Sequence, residues 1–297
     1  MKIQTFSIVV GGPACNAKCP YCVSKLTGCT NGIKIGQKAI DINKRNFDIA
    51  CNFAKQSGVS TVLMTGKGEP LLYKEHINRY FKMLQKWQFP FIELQTNGVE
   101  LKNIEDTELI DWYNMGLTTI SLSVAHWLLE ANKYIFGTDI HLAENINRLH
   151  RLGFSIRISC VGVKNMIDDL AILLAFVKWC KGQEVEQFTW RPVTNISEDE
   201  IGDDTVKRSV YEWIKSNKVD ERNIEAIADW FDLVPNLNAT TLLTLAHGAK
   251  VYDVWGQNIS LNSCLTRSDN PDDIRQLIFS SDGHLRFDWV KEGAIII

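Results

Sequence analysis

Six short stretches of the chain carry apolar and β-branched residues in strand-length runs: TFSIVV, STVLMT, FIELQT, TTISLSV, SIRISCVGV and EQFTWRPV. Between them apolar residues recur at helical spacing, as at Ile77, Tyr80, Phe81, Leu84 and Trp87, or at Leu170, Leu173, Leu174 and Val177. Each such helix has one face to lay on a sheet. Gly58, Gly116 and Gly153 follow these periodic runs, where a helix end favours a left-handed residue. Strand and helix alternating in this way predict a parallel sheet. Six units predict a partial (β/α)6 barrel of the TIM type over residues 1–194. From Asn195 the pattern changes to two helices, near Asp204 to Asn217 and Glu221 to Phe231, then to short strands with a tight turn at Ser281-Asp282-Gly283-His284. Residues 195–297 are therefore expected to form a helical and short-strand extension capping the barrel.

The strands are two-faced. Ile156, Ile158 and Cys160 share one face of their strand while Arg157 and Ser159 share the other, because side chains alternate. The same split separates Ile120, Leu122 and Val124 from Thr119, Ser121 and Ser123. It also divides Ile92 and Leu94 from Glu93 and Gln95, and Phe188 and Trp190 from Gln187, Thr189 and Arg191. A barrel filled for stability packs branched apolar residues inside. Polar inner faces on four successive strands instead predict a hollow lumen for a polar ligand. The competing reading is an open antiparallel sheet with solvated faces.

Length and charge narrow the classes. The chain has 297 residues, 45% of them apolar, and a formal net charge of −3 without a basic block or an acidic tail. That balance argues against a nucleic-acid polymer or an anionic membrane surface as partner. The first apolar run is too short for a signal peptide and no later run reaches bilayer-spanning length, so a cytoplasmic location is expected. In a reducing compartment the eight cysteines are expected as thiols rather than disulfides.

Three of the eight cluster. Cys15, Cys19 and Cys22 are spaced C-x3-C-x2-C on the loop that leaves the first strand. Thiolates are soft ligands suited to zinc or to iron–sulfur clusters. A structural zinc site needs a fourth protein ligand, for which Cys29 is available, but no second C-x2-C pair follows. Three thiolates on a four-iron cluster leave one iron open to a small molecule.

With an aromatic residue, Tyr21, before its last cysteine, this motif resembles the hallmark of the radical S-adenosylmethionine (SAM) enzymes. The resemblance implies one [4Fe-4S] cluster on Cys15, Cys19 and Cys22, with SAM on its fourth iron and reductive cleavage to a 5′-deoxyadenosyl radical. Further stretches are similar in the expected order. TGKGEPLLY, after the second strand, resembles the family's glycine-rich GGEP segment and implies that Gly66, Gly68 and Glu69 receive the SAM amino group. Lys67 occupies a position often held by glycine and is given no role. QTNG and ISLS resemble later motifs and imply SAM contacts at Thr96 and Ser121, with Asn97 nearby. Arg157, Lys164 and Arg191 are candidate ligands for the carboxylate or phosphate groups of SAM or substrate; pairing with Glu93 is the alternative. The C-terminal stretch from Asn262 distantly resembles viperin and the molybdenum-cofactor GTP cyclases, without the second cluster's cysteines.

Cys264 is a candidate hydrogen donor to a substrate radical, against simple packing. Cys51 and Cys160 read as small buried hydrophobes. His76, His126, His141, His150, His247 and His284 show no metal-binding spacing and read as surface or cap residues. The resemblance implies an external electron donor such as flavodoxin or ferredoxin. A ribosomally synthesised peptide is the favoured substrate, with a separate recognition protein as a further partner; a nucleotide or nucleoside is the second reading. A noncatalytic zinc module is the third.

Overall fold

The computed structural model describes residues 2–27, 42–232, 239–245, 248–262, 273–289, 291 and 293–297. Six parallel strands in sequence order form its centre: β1 (Lys2–Val9), β2 (Thr61–Thr65), β3 (Phe91–Thr96), β4 (Thr119–Val124), β5 (Ser155–Gly162) and β6 (Gln187–Pro192). Helices α2 (Lys44–Gln56), α3 (Lys74–Leu84), α4 (Asp106–Asn114), α6 (Leu142–Arg151) and α7 (Leu170–Gly182) run between them. A short α1 (Val23–Leu26) precedes α2, and α5 (Leu129–Phe136) lies between β4 and α6. The six expected strands and the parallel arrangement are present, and Gly58, Gly116 and Gly153 have φ of 80°, 107° and 91°.

Residues beyond 194 form α8 (Thr205–Asn217) and α9 (Glu221–Asp232), followed by five strands. These are β7 (Ala239–Thr244), β8 (Lys250–Val254), β9 (Gln257–Leu261), β10 (Asp273–Phe279) and β11 (Leu285–Arg286). They join both edges of the central sheet. β9 pairs parallel to β6 and leads to antiparallel β8 and β7, while β10 pairs parallel to β1 and carries antiparallel β11. The sheet of eleven strands is open, ending at β11 and β7. The turn at Ser281–Gly283 makes the β10–β11 hairpin, with Gly283 at φ 82°.

The apolar faces of the strands meet the helices. Phe6 of β1, Phe47 of α2, Tyr80 of α3 and Phe279 of β10 form an aromatic knot; the Phe47 ring centroid lies 5.3 Å from Tyr80 and 5.1 Å from Phe279. On the far side Phe176 of α7 packs 4.7 Å from Phe188 of β6. Cys51, Cys160 and Cys180 are buried here as free thiols.

Among the described residues two histidines depart from the surface reading, and His247 lies outside them. His76 and His126 are 3% and 5% exposed; each uses Nδ1 to accept a backbone N–H, from Gly11 and Leu128 respectively. A neutral imidazole that accepts one bond can be buried, and residue spacing carries no sign of this. Among the described residues no helix is long and apolar enough to cross a membrane.

Phe47→Ala removes the ring that links α2, α3, β1 and β10. It is expected to cost about 3–5 kcal/mol, read as a lower urea midpoint with an unchanged slope.

Candidate functional site: a thiol-lined cleft at the strand ends

The site is built where β1, β2 and β3 end. After β1 the chain turns at Gly11, whose φ is 67° and whose missing Cβ would lie 2.2 Å from the Tyr73 ring. The Gly11 N–H donates to His76 Nδ1 at 2.9 Å, which fixes the entry to the cysteine loop. Farther along, the loop is pinned twice through its backbone. Glu69 N–H donates to Ala14 O at 2.9 Å, and Lys18 N–H donates to Phe136 O, at the end of α5, at 2.7 Å. Gly68 must be glycine for the first contact, since a Cβ there would stand 2.0 Å from Ala14 O.

These pins bring Cys15, Cys19 and Cys22 to one cleft of about 310 Å³, which Gly66, Lys67, Gly68, Glu69, Thr96, Asn97, Ser123 and Phe136 also line. Burial pushes the Cys15 thiol up, and pushes Cys19 up to about 12 with further help from Cys22 and Cys15 nearby. Negative thiolates so placed call for a cation. Among the described residues no three Cys, His, Asp or Glu side chains converge on a position for one metal ion. The three thiols line one cleft, and this soft donor set suits an iron–sulfur group. Asn97 Nδ2 donates to Cys15 Sγ at 3.7 Å and to Asn16 Oδ1 at 2.7 Å; Ala17 N–H also reaches Cys15 Sγ, at 3.4 Å. Such donors stabilise thiolate charge.

Glu69 is fully buried beside them. Its carboxylate accepts from Leu71 N–H at 3.0 Å, Thr96 Oγ1 at 2.6 Å and Asn97 N–H at 2.9 Å. Burial nonetheless raises its pKa to about 7, against the lowering effect of these donors. A carboxylate in that condition favours an arriving ammonium.

Deeper in the lumen, Gln95, Ser121, Arg157 and Gln187 lie in register across β3 to β6. Arg157 pairs with Glu93 through Nη2, Arg157 Nε donates to Ser121 Oγ at 3.3 Å, and Gln95 donates to Glu93 at 2.9 Å. Ser121 is buried and Arg157 partly so, and neither lines the cleft, although Gln95 of the same row does. One step nearer the mouth, Ser123, Ser159, Thr189 and Ser260 form a row in register across β4, β5, β6 and β9. Strands about 4.8 Å apart make this row about 14 Å long.

Arg191 sits one alternation above on β6. It lies close enough to Arg275 to help burial lower the latter's pKa to about 10. Lys164 is exposed, its backbone N–H donating to Asn217 O at 2.9 Å. Tyr21 turns away from the cleft to pack 5.7 Å from Trp213 of α8. Cys29 and Cys264 lie outside the described residues. Ser123 lines the cleft from the polar inner face of β4 on which alternation had placed it, while the sequence reading missed Phe136 and Lys67 as lining residues and Ser260 as part of the row, none of which carries a local signal.

A family model described as the Radical SAM superfamily matches residues 9–177. No curated protein matches the chain. Streptococcus suis SuiB bound to precursor peptide SuiA has the same fold at TM-score 0.59 and 12% identity, over 97% of this chain and 60% of SuiB. The chain therefore spans about three fifths of that protein's length. Methylornithine synthase (PylB) aligns at TM-score 0.47 and 12% identity over 77% of this chain and 62% of its own. The enzyme anSMEcpe with bound AdoMet aligns at 0.48 and 18% over 64% and 49%.

His76 supplies a pH test of the loop's anchor. Burial lowers its pKa from 6.5 to about 4, so the unfolded state binds the extra proton between those values. Stability is retained above pH 6.5 and lost as pH falls toward 4, by up to about 3 kcal/mol. His76→Gln, which keeps an acceptor for Gly11, is expected to flatten that part of the urea-midpoint profile relative to wild type.

Proposed function

This chain belongs to the radical SAM superfamily, and from that premise we propose that it modifies a ribosomally synthesised peptide by hydrogen abstraction. The superfamily's cofactors are a [4Fe-4S] cluster and SAM. When bound, they supply one-electron cleavage of the sulfonium to methionine and a 5′-deoxyadenosyl radical that removes hydrogen from a substrate.

The chain's own residues divide the remaining tasks. Cys15, Cys19 and Cys22 hold the cluster, and Asn97 tempers the charge on Cys15. Glu69, with the backbone at Gly66 and Gly68, receives the SAM ammonium, and Thr96 fixes the Glu69 rotamer. Arg157 and Ser121 close the lumen floor against water. Ser123, Ser159, Thr189 and Ser260 offer neutral donors and acceptors to the substrate, while Arg191 and Lys164 are candidate cations for a carboxylate. Tyr21 braces the loop against Trp213, so that α8 stands beside the cysteine loop.

The single observation that carries the peptide reading is the hydroxyl row. An extended peptide of four residues spans about 14 Å, and its amides match uncharged groups that both donate and accept. The likeness of fold to SuiB, whose structure holds a precursor peptide, supports the same substrate class. A nucleotide is the second reading, favoured by the proximity of Arg191 and Arg275, since guanidinium groups suit phosphate. An electron donor such as flavodoxin or ferredoxin and a separate recognition protein are the expected partners.

Anaerobic reconstitution is expected to give about four irons per chain and, with SAM and reductant, 5′-deoxyadenosine; Cys19→Ala loses both. Candidate precursor peptides should stimulate deoxyadenosine formation and nucleoside triphosphates should not. The opposite pattern would overturn the peptide reading. Thr189→Val and Ser159→Ala should each raise KM for the peptide about three- to tenfold.

A further inference from the structure

A lysine is almost never buried without fixed partners, yet Lys67 is only 8% exposed in the turn between Gly66 and Gly68. Its Nζ donates to Thr27 O at 2.9 Å and to Thr27 Oγ1 at 2.8 Å. The same ammonium stands 5.2 Å from the centroid of the Trp289 ring. Thr27 is the residue that ends α1, a helix whose cap at the other end is Cys22. Its N–H and hydroxyl both return to Val23 O, at 3.0 and 3.1 Å. Lys67 therefore grips the back of the single helical turn whose front carries a thiol.

Trp289 comes from the opposite end of the chain. Its segment is tied to β11 by Leu285 N–H to Ile297 O, Ile296 N–H to Leu285 O and Phe287 N–H to Ala294 O. Three segments remote in sequence thus meet on one ammonium, at the wall of the cleft that the thiols also line.

We propose that Lys67 is a positioning residue for the cluster loop: it clamps α1 and the C-terminal tail to the turn after β2, fixes the Cys22 thiolate, and raises the potential of the bound cluster. The proposal rests on the reading of Cys15, Cys19 and Cys22 as cluster ligands. Reduction adds negative charge to a cluster, and a nearby cation stabilises that added charge. Removing the cation shifts the potential downward whatever else the ammonium touches. The charge-assisted bond to Thr27 holds the loop mechanically, and the aromatic face of Trp289 shields it from water.

The test compares Lys67→Met, Lys67→Arg and Trp289→Leu with wild type after anaerobic reconstitution. Iron per chain is measured first; a wild-type protein that holds no cluster defeats the ligand assignment itself, not the role of Lys67. With the cluster in place, its midpoint potential is followed by EPR-monitored titration and its stability by iron release to a chelator. Lys67→Met is expected to have a more negative midpoint and to release iron about tenfold faster. Lys67→Arg should recover most of both, and Trp289→Leu should speed release with a smaller change in potential. A Lys67→Met protein with an unmoved midpoint overturns the proposal, as does a shift that arginine fails to rescue. If Lys67→Met does not fold, Thr27→Val and Trp289→Leu carry the comparison, and wild-type release and potential in both also overturn it.

Discussion

A carboxylate with no access to water is the constraint around which the cleft is organised. Glu69 accepts three hydrogen bonds, two of them from the residues that end β3, while its own N–H reaches back to Ala14 in the loop after β1. Three strand ends are thereby fixed relative to one another by one residue. The arrangement is costly while it lacks a cation, as the upward shift of the Glu69 pKa records. Cys15 and Cys19 beside it carry the same sign of penalty. Both penalties fall when positive groups enter, so the cleft is stabilised by the charge it is shaped to accept.

The lumen beneath follows a different logic. Arg157, Glu93, Ser121 and Gln95 are bonded to one another, so a polar network of opposite charges lies across the floor. The hydroxyl row above it stays uncharged. Chemistry is thus confined to the upper layers, where the loops after the strands meet, as is common for parallel sheets with helices on their outer face.

Much of this was legible in the sequence, for reasons of range. Alternation along a strand is a local property, so the six central strands, their polar inner faces and the loop with three closely spaced cysteines could be read directly. Arg157 pairing with Glu93 was foreseen as an alternative because both lay on polar faces of nearby strands. What escaped depends on partners far away in the chain. Nothing local marks β10 as the neighbour of β1, or β9 as the neighbour of β6. His76 and His126 differ from surface histidines only through the backbone groups that they receive. Tyr21 belongs to the cysteine motif, which implies a place at the cofactor, and nothing local shows that its ring packs on Trp213 of α8. Lys67 looked like a tolerated replacement of glycine until Thr27 and Trp289 were seen around it.

The pairing of β10 with β1 bears on how such a protein matures in the cell. Lys2 meets Asp273 and Ile8 meets Phe279, so the strand that feeds the cysteine loop lacks one flank until β10 has left the ribosome. A strand made before β2 to β9 is thus completed only after them. A cysteine loop hung from β1 is therefore held on both sides only once β10 is in place, and metal delivered before then would meet a loop with one edge still open.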